Sequence, residues 1–245
     1  MATTRRNKLN AVYRQVPPGT PLTSAQLAKL GISADLAVHH ARSGWLTRLA
    51  RGVYSRAGDT LSLHPSLRVL EEQLPGLHVG GKTALSWYGV RQYVSAQPVL
   101  HLYGWNAARL PPWFTSAFPS EYHRKRLFKE SPQAPLHVNR FEDRPDGANV
   151  SDPERALLEV LSEVGVRQPL QEAKELTEST YSLRADVLNE LLKQCTSVKT
   201  VRLCLQLGRE LSMPWMEKLE TEAMPKGSAR RWVAKSKDGL LVLKP

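Results

Sequence analysis

Acidic residues are nearly missing from the first quarter of this chain. Residues 1–60 hold two, Asp35 and Asp59, against nine basic ones: Arg5, Arg6, Lys8, Arg14, Lys29, Arg42, Arg48, Arg51 and Arg56. That local balance is +7, so of the net +11 carried by all 245 residues only +4 falls on the other 185. The asymmetry points to an anionic partner at the N-terminal segment, nucleic acid first and a membrane surface second. Cysteine is scarce as well. Cys195 and Cys204 have no CxxC spacing, which leaves a reduced, cytosolic chain with two small buried hydrophobes. No run approaches 18 apolar residues, so no membrane span is expected. The start, "MATTRRNKLNAVYRQV", has charge but no apolar segment behind it, so it does not read as a signal peptide.

Enzyme signatures are also missing. The sequence has no GxGxxG, HExxH or GxSxG, and no Ser/His/Asp set or carboxylate pair stands out. "GLHVGGKT", Gly76 to Thr83, matches the P-loop string G-x-x-x-x-G-K-[ST], but its context does not fit. "LEEQLPG" before it reads as a helix and a break, and the apolar strand residues fall inside the supposed loop. His101, His123 and His137 lie on or near predicted strands and could approach one another, but they lack metal-ligand spacing. The expectation is therefore no enzyme, no cofactor and no metal.

What is present is a 41% hydrophobic chain, enough for a real core and long enough for one large domain or two modest ones. Leu9, Val12, Tyr13 and Val16 recur near helical spacing and predict a helix over 5–16, broken by "PPGTPLT". Thr23 or Ser24 can cap a second helix, "AQLAKL", stopped by Gly31. Ser33 caps a third, roughly 34–42, ended by Gly44. Trp45–Leu49 and Val53–Ser55 then read as two strands around "ARG". Helix, helix, helix, hairpin is the order of a winged helix-turn-helix.

On the third helix Leu36, Ala37, His40 and Ala41 share an inward face. Ser33, Asp35, Val38, His39 and Arg42 point outward, suited to a major groove. Asp35 could accept from a cytosine amino group or simply sit at a helix N-terminus. Arg48, Arg51 and Arg56 on the hairpin suit phosphate or the minor groove, with a solvated hairpin as the plain alternative. Trp45, Leu46, Leu49 and Val53 are expected to anchor the hairpin. Arg5, Arg6 and Lys8 could clamp a phosphate or form a frayed terminus. With Ser24 at the start of the second helix, the candidate DNA-contacting set is Arg5, Arg6, Ser24, Ser33, Asp35, His39, Arg42, Arg48, Arg51 and Arg56.

Beyond residue 60, "LRVLEEQL" and "KTALSWYGV" read as helices, and "LHV", "PVLHLYG" and "PLHVNRF" as strands. "EYHRKRLFK" is a second basic cluster, read as a charged edge strand or a further nucleic-acid contact. "SDPERALLEVLSEVG" is the cleanest helix: Ser151 is its predicted cap, Glu154 completes a capping box, and Gly165 ends it. Helical patterns follow over 168–178, 184–194 and about 198–211. "RRWVAKSKDGLLVLKP" predicts a terminal hairpin turning at Asp238-Gly239. The expected fold is α+β: a winged helix-turn-helix over 1–60, then a larger mixed α/β domain over 61–245 with a helical second half.

"SGWLTRLARGVYSR", "LHVGGKTALSWYGV" and "SDPERALLEVLSEVG", in this order, together with "GRELSMPWMEKLE", resemble the AbiEi family of antitoxins from abortive-infection toxin–antitoxin systems. The resemblance covers nearly the whole chain. It implies a cytoplasmic phage-defence antitoxin whose N-terminal winged helix binds inverted repeats in its promoter and represses its own operon. It implies a C-terminal domain that counteracts a nucleotidyltransferase-type toxin without a stable complex. It carries the DNA-contacting role onto the outward residues of 33–42 with Arg48 and Arg51. The alternatives are a ligand-responsive winged-helix regulator, whose C-terminal domain holds a small effector, and a nucleotide-using enzyme built at Gly76–Thr83.

Overall fold

The structure is a computed structural model that describes residues 2–90, 99–143, 146–228, 230–236 and 239–243. It is a mixed α+β protein in two compact units.

The first unit comprises residues 1–74, 109–119 and 140–148. Helix α1 (Ala2–Gln15) is followed by the short strand β1 (Leu22–Thr23), α2 (Ser24–Lys29) and α3 (Ala34–Arg42). A hairpin of β2 (Leu46–Ala50) and β3 (Val53–Arg56) comes next, and the three strands form one antiparallel sheet in the order β1-β3-β2. Local chemistry sets these boundaries. Thr23 and Gln26 make a reciprocal capping box at α2, and the Ser33 hydroxyl accepts from the Leu36 N–H at the start of α3. Gly52 takes φ +76° in the tight turn between β2 and β3, a conformation that side chains other than glycine rarely adopt.

Alternating and helical apolar positions meet in one cluster: Leu9, Val12, Val16, Leu22, Leu27, Ile32, Ala37, Leu46 and Tyr54. Each large side chain fully buried here contributes about 1.5–3 kcal/mol of transfer free energy. The cluster fixes how α2, α3 and the hairpin are held together.

The expected boundary at residue 60 falls inside this unit. Helix α4 (Leu63–Gln73) buries Ser66, Leu67, Val69 and Leu70, and the Gln26 amide donates to Glu72 from across the unit. Helix α6 (Pro112–Ala117), which follows α5 of the second unit in the chain, adds the fully buried Phe114. Arg140 and Arg68 both pair with Glu71, at 2.8 and 2.6 Å.

The second unit comprises residues 75–108, 120–139 and 149–245. Its mixed sheet is built from β4 (His78–Val79), β5 (Leu100–Gly104), β6 (Ser120–Arg124), β7 (Val138–Arg140) and β8 (Asn149–Ser151), in the order β6-β5-β4-β8-β7. Strand β4 runs antiparallel to β5 and parallel to β8, and β5 runs parallel to β6. Helices α5 (Gly81–Trp87), α7 (Pro153–Glu163), α8 (Leu170–Glu178), α9 (Ala185–Gln194) and α10 (Val198–Glu210) belong to the same unit, with α5 packed on α7. Only Glu121–Arg124 of the basic "EYHRKRLFK" segment lie in the edge strand β6; Lys125, Arg126 and Lys129 follow its end. The terminal hairpin pairs β9 (Trp232–Ser236) with β10 (Gly239–Leu243) in the register Gly239↔Ser236. Its tip, residues 237–238, lies outside the described residues.

Helix α7 is buried on every side, its charged residues Glu154, Arg155, Glu159 and Glu163 included. A helix can be enclosed this way only if each charge meets a partner. That requirement explains why the predicted capping box does not form. Ser151 donates its hydroxyl to Glu159, and Glu154 accepts from the backbone N–H and guanidinium of Arg184. Asp152 takes the N-cap position without a side-chain bond to the helix.

Candidate nucleic-acid interface

Three residues, 43–45, separate α3 from β2. Gly44 turns the chain at φ +76°, and the Trp45 N–H donates to the His40 carbonyl at 3.0 Å. The hairpin is therefore tied to the end of α3 by backbone. On α3, Ala37 and His40 are buried, while Ser33, Asp35, His39 and Arg42 are exposed and Val38 is half-buried. Arg48 on β2 and Arg51 in the turn are exposed. Arg42, Arg48 and Arg51 have no carboxylate within ion-pairing distance among the described residues, so Asp35 is the one acid on this face of helix and hairpin.

Two of the sequence-derived candidates, Arg56 and Ser24, are placed differently from the rest. Arg56 turns inward: its guanidinium grips Asp59 through two bonds of 3.0 and 3.2 Å, donates to the Tyr13 and Val16 carbonyls, and lies over the Tyr13 ring. Burial works against ionisation of Asp59, but the Gly19 N–H and Arg56 outweigh it and hold the carboxyl below its usual range. Ser24 faces the hairpin, its N–H donating to the Gly52 carbonyl at 2.8 Å and its hydroxyl directed at the same oxygen. The side chains of Arg5 and Arg6 lie outside the described residues.

Trp45 corrects an expectation. Leu46 and Val53, each 2% exposed, anchor the hairpin, but the Trp45 side chain does not; it is 55% exposed. Its backbone is fixed at both ends, since its carbonyl also accepts from the Tyr13 hydroxyl at 2.8 Å. The ring is left at the surface. Thr47 on β2 is exposed as well. For Trp45 the left-handed turn at Gly44 decides, and hydrophobicity alone points the wrong way.

In the second unit the P-loop-like string has a different use. Strand β4 sits inside it, and α5 starting at Gly81 has only seven residues. The Glu159 carboxylate accepts the Gly81 N–H at 3.0 Å, and a Cβ on Gly80 would meet that carboxylate at 2.2 Å. The glycines let a buried carboxylate, rather than a phosphate, approach the backbone. Lys82 pairs with Glu172 at 3.0 Å.

Glu159 also accepts from Arg155 (2.8 Å), His78 (2.9 Å) and Ser151, and Arg155 continues to Glu130 through two further bonds. His78 faces the Gly76 carbonyl with its other nitrogen at 2.8 Å. Burial alone would raise the Glu159 carboxyl, but His78 and Arg155 bring it down to about 2.

The histidines divide. His101 and His123 come together, Nδ1 to Nε2 at 3.0 Å, whereas His137 sits apart with Glu190 and Asp152. Burial pushes the thiols of Cys195 and Cys204 up to about 11 and about 12, which makes both inert packing groups.

The first unit thus carries a basic exposed face, and in the larger second unit the buried charges Arg155, Glu130 and Glu159 pair with one another. Two family descriptions match the chain: "Transcriptional regulator, AbiEi antitoxin, Type IV TA system" over residues 97–244, and "Transcriptional regulator, AbiEi antitoxin N-terminal domain" over residues 5–96. The chain therefore belongs to the AbiEi antitoxin family of type IV toxin–antitoxin systems. No curated protein matches it. Among solved structures it is similar in fold to the RV2827C protein from Mycobacterium tuberculosis, with a TM-score of 0.57 at 17% identity, covering 94% of this chain and 89% of that one. Among the described residues no helix is long and apolar enough to cross a membrane.

Proposed function

We propose that the N-terminal unit is a winged helix-turn-helix that binds inverted repeats in the promoter of its own operon and represses it. The observation behind this is the exposed row Ser33, Asp35, His39 and Arg42 on α3, continued by Arg48 and Arg51 on the hairpin, with a single acid among them. In this reading α3 enters the major groove with Ser33, Asp35 and His39 toward base edges. Arg42, Arg48 and Arg51 contact phosphate, or the minor groove in the case of the turn. Arg5 and Arg6 extend the phosphate contact from the N-terminus. Ser24 and Arg56 act from behind, by holding the hairpin to the core. One winged helix reads only a few base pairs, so specificity requires two copies on a repeated site.

The C-terminal unit, in the same reading, counteracts a nucleotidyltransferase-type toxin without a stable complex, and the protein works in the cytoplasm. A gel shift with the region upstream of its own gene tests the first part. A salt-sensitive shift that a scrambled sequence does not compete away supports repression; equal binding to both sequences removes it. Co-expression with the neighbouring reading frame tests the second. Growth rescue by the C-terminal unit's surface, lost on its substitution but kept in Arg48→Ala, separates the two activities.

A further inference from the structure

The pairing of β5 with β6 puts an unusual set of side chains on one sheet face. His101 lies opposite Glu121 in the parallel register, and His123 follows Glu121 by two. Registered neighbours and alternate residues share a face, so all three project together. Their ligand atoms, one from each residue, all fall within 4.8 Å of one another. The facing nitrogens of His101 and His123 are 3.0 Å apart, and Glu121 Oε2 is 3.9 Å from the same His123 nitrogen. A tetrahedral ion with bonds of about 2.0–2.1 Å holds its ligand atoms about 3.3 Å apart. Small side-chain adjustments would bring these three to that spacing.

We propose that His101, Glu121 and His123 form a binding site for a divalent transition-metal ion, Zn²⁺ being the first to test. Two imidazoles and one carboxylate are the donors that borderline ions select, and three protein ligands leave a fourth position for water or a partner's donor. The edge of the sheet supplies access, since Glu121 is 56% exposed. The interior supplies rigidity: the His123 ring is buried and stacked on Tyr103 at 4.6 Å.

The surroundings also show what metal binding must change. Arg167 donates to His123 Nδ1 at 3.1 Å, so His123 carries its proton on Nε2 and donates it to His101. Ligation moves that proton to Nδ1. No proton is gained or lost, but Arg167 must leave, and its 55% exposed side chain has room to do so. Glu163 Oε2, 3.9 Å from Nδ1, becomes the acceptor, giving the carboxylate–histidine–metal arrangement that orients such ligands. Lys82 lies close enough to oppose a cation but is paired with Glu172.

The test uses the tag-free full chain, stripped with chelator and titrated with Zn²⁺ by calorimetry and with Co²⁺ by absorption. One ion per chain is expected, with the visible bands of four-coordinate Co²⁺ and no near-ultraviolet sulfur charge transfer. His101→Ala and Glu121→Gln should each weaken binding at least 10-fold, and His137→Ala should not. Because His123→Ala removes a buried stacked ring, the exposed Glu121 position carries the decision. Arg167→Ala should tighten binding on the order of 10-fold, because the competing donor is gone. Absence of stoichiometric binding, unchanged affinity in Glu121→Gln, thiolate bands, or weaker binding in Arg167→Ala would each overturn the assignment.

Discussion

The two units use arginine in opposite ways. On α3 and its hairpin, Arg42, Arg48 and Arg51 stand at the surface with no carboxylate partner among the described residues. In the second unit Arg155 is buried between Glu130 and Glu159, and the half-exposed Arg184 closes on Glu154 and Asp152, which push its proton affinity up. An exposed guanidinium contributes little to the fold, and in the proposed reading it is free to neutralise a phosphate, which releases counterions condensed on the DNA. A buried one is neutralised in place and fixes which segments meet. Substitutions should therefore separate cleanly into those that damage folding and those that damage binding.

Glu159→Ala should give the largest effect. It strands Arg155 and His78 in the interior, and breaking a buried pair from one side costs about 3–5 kcal/mol, readable in chemical denaturation. The same carboxylate leaves a pH signature. Its folded value of about 2 lies below the ordinary glutamate value of 4.5, so its contribution is complete above about 4.5 and is lost as pH falls toward 2. The acid limb of a stability–pH profile should flatten in the Glu159→Ala protein; an unchanged limb would show that Glu159 does not carry it.

Gly80→Ala comes next. The new Cβ would sit 2.2 Å from Glu159 and 2.6 Å from Tyr103, an overpacking that costs about 1–3 kcal/mol. A wild-type melting temperature would mean that the glycine pair is not needed for the carboxylate's approach. Arg56→Ala should cost about 1–2 kcal/mol through its lost bonds to Asp59 and the α1 carbonyls, while the salt dependence of DNA binding stays as it was. Arg48→Ala and Arg51→Ala should invert that pattern: stability within about 0.5 kcal/mol of the parent, and weaker binding to every DNA sequence.

The same contrast marks what was legible in the sequence. The helix–helix–helix–hairpin order was readable because its stops are chemical: Gly31, Gly44, Gly52, and the Ser33 cap. The buried His40 followed from the 3.6-residue period. The exposed Trp45 and the inward Arg56 did not, because each depends on contacts with Tyr13 or Asp59, remote or across a turn, that no local pattern encodes. In the second unit the motifs were visible but their meaning was not. "GGKT" and "PERALLE" meet through Glu159 and Gly81, 78 positions apart in the chain. Ser151 and Glu154, three positions apart at a helix start in a plausible capping pattern, are drawn off by Glu159 and Arg184 because a buried charge outbids a cap. The approach of His101 to His123 was readable as a possibility from the predicted strands, but the parallel register of β5 and β6 was needed to set His137 aside and bring in Glu121.

The central proposal is that α3 and the hairpin carry DNA recognition. The most direct measurement is the logarithm of the binding constant for the upstream region against the logarithm of salt concentration, for the full chain and for Arg48→Ala/Arg51→Ala. The account predicts a steep line for the parent and a slope shallower by about 0.9 for each phosphate contact removed, with the melting temperature unchanged. An identical slope and affinity in the double variant would contradict it.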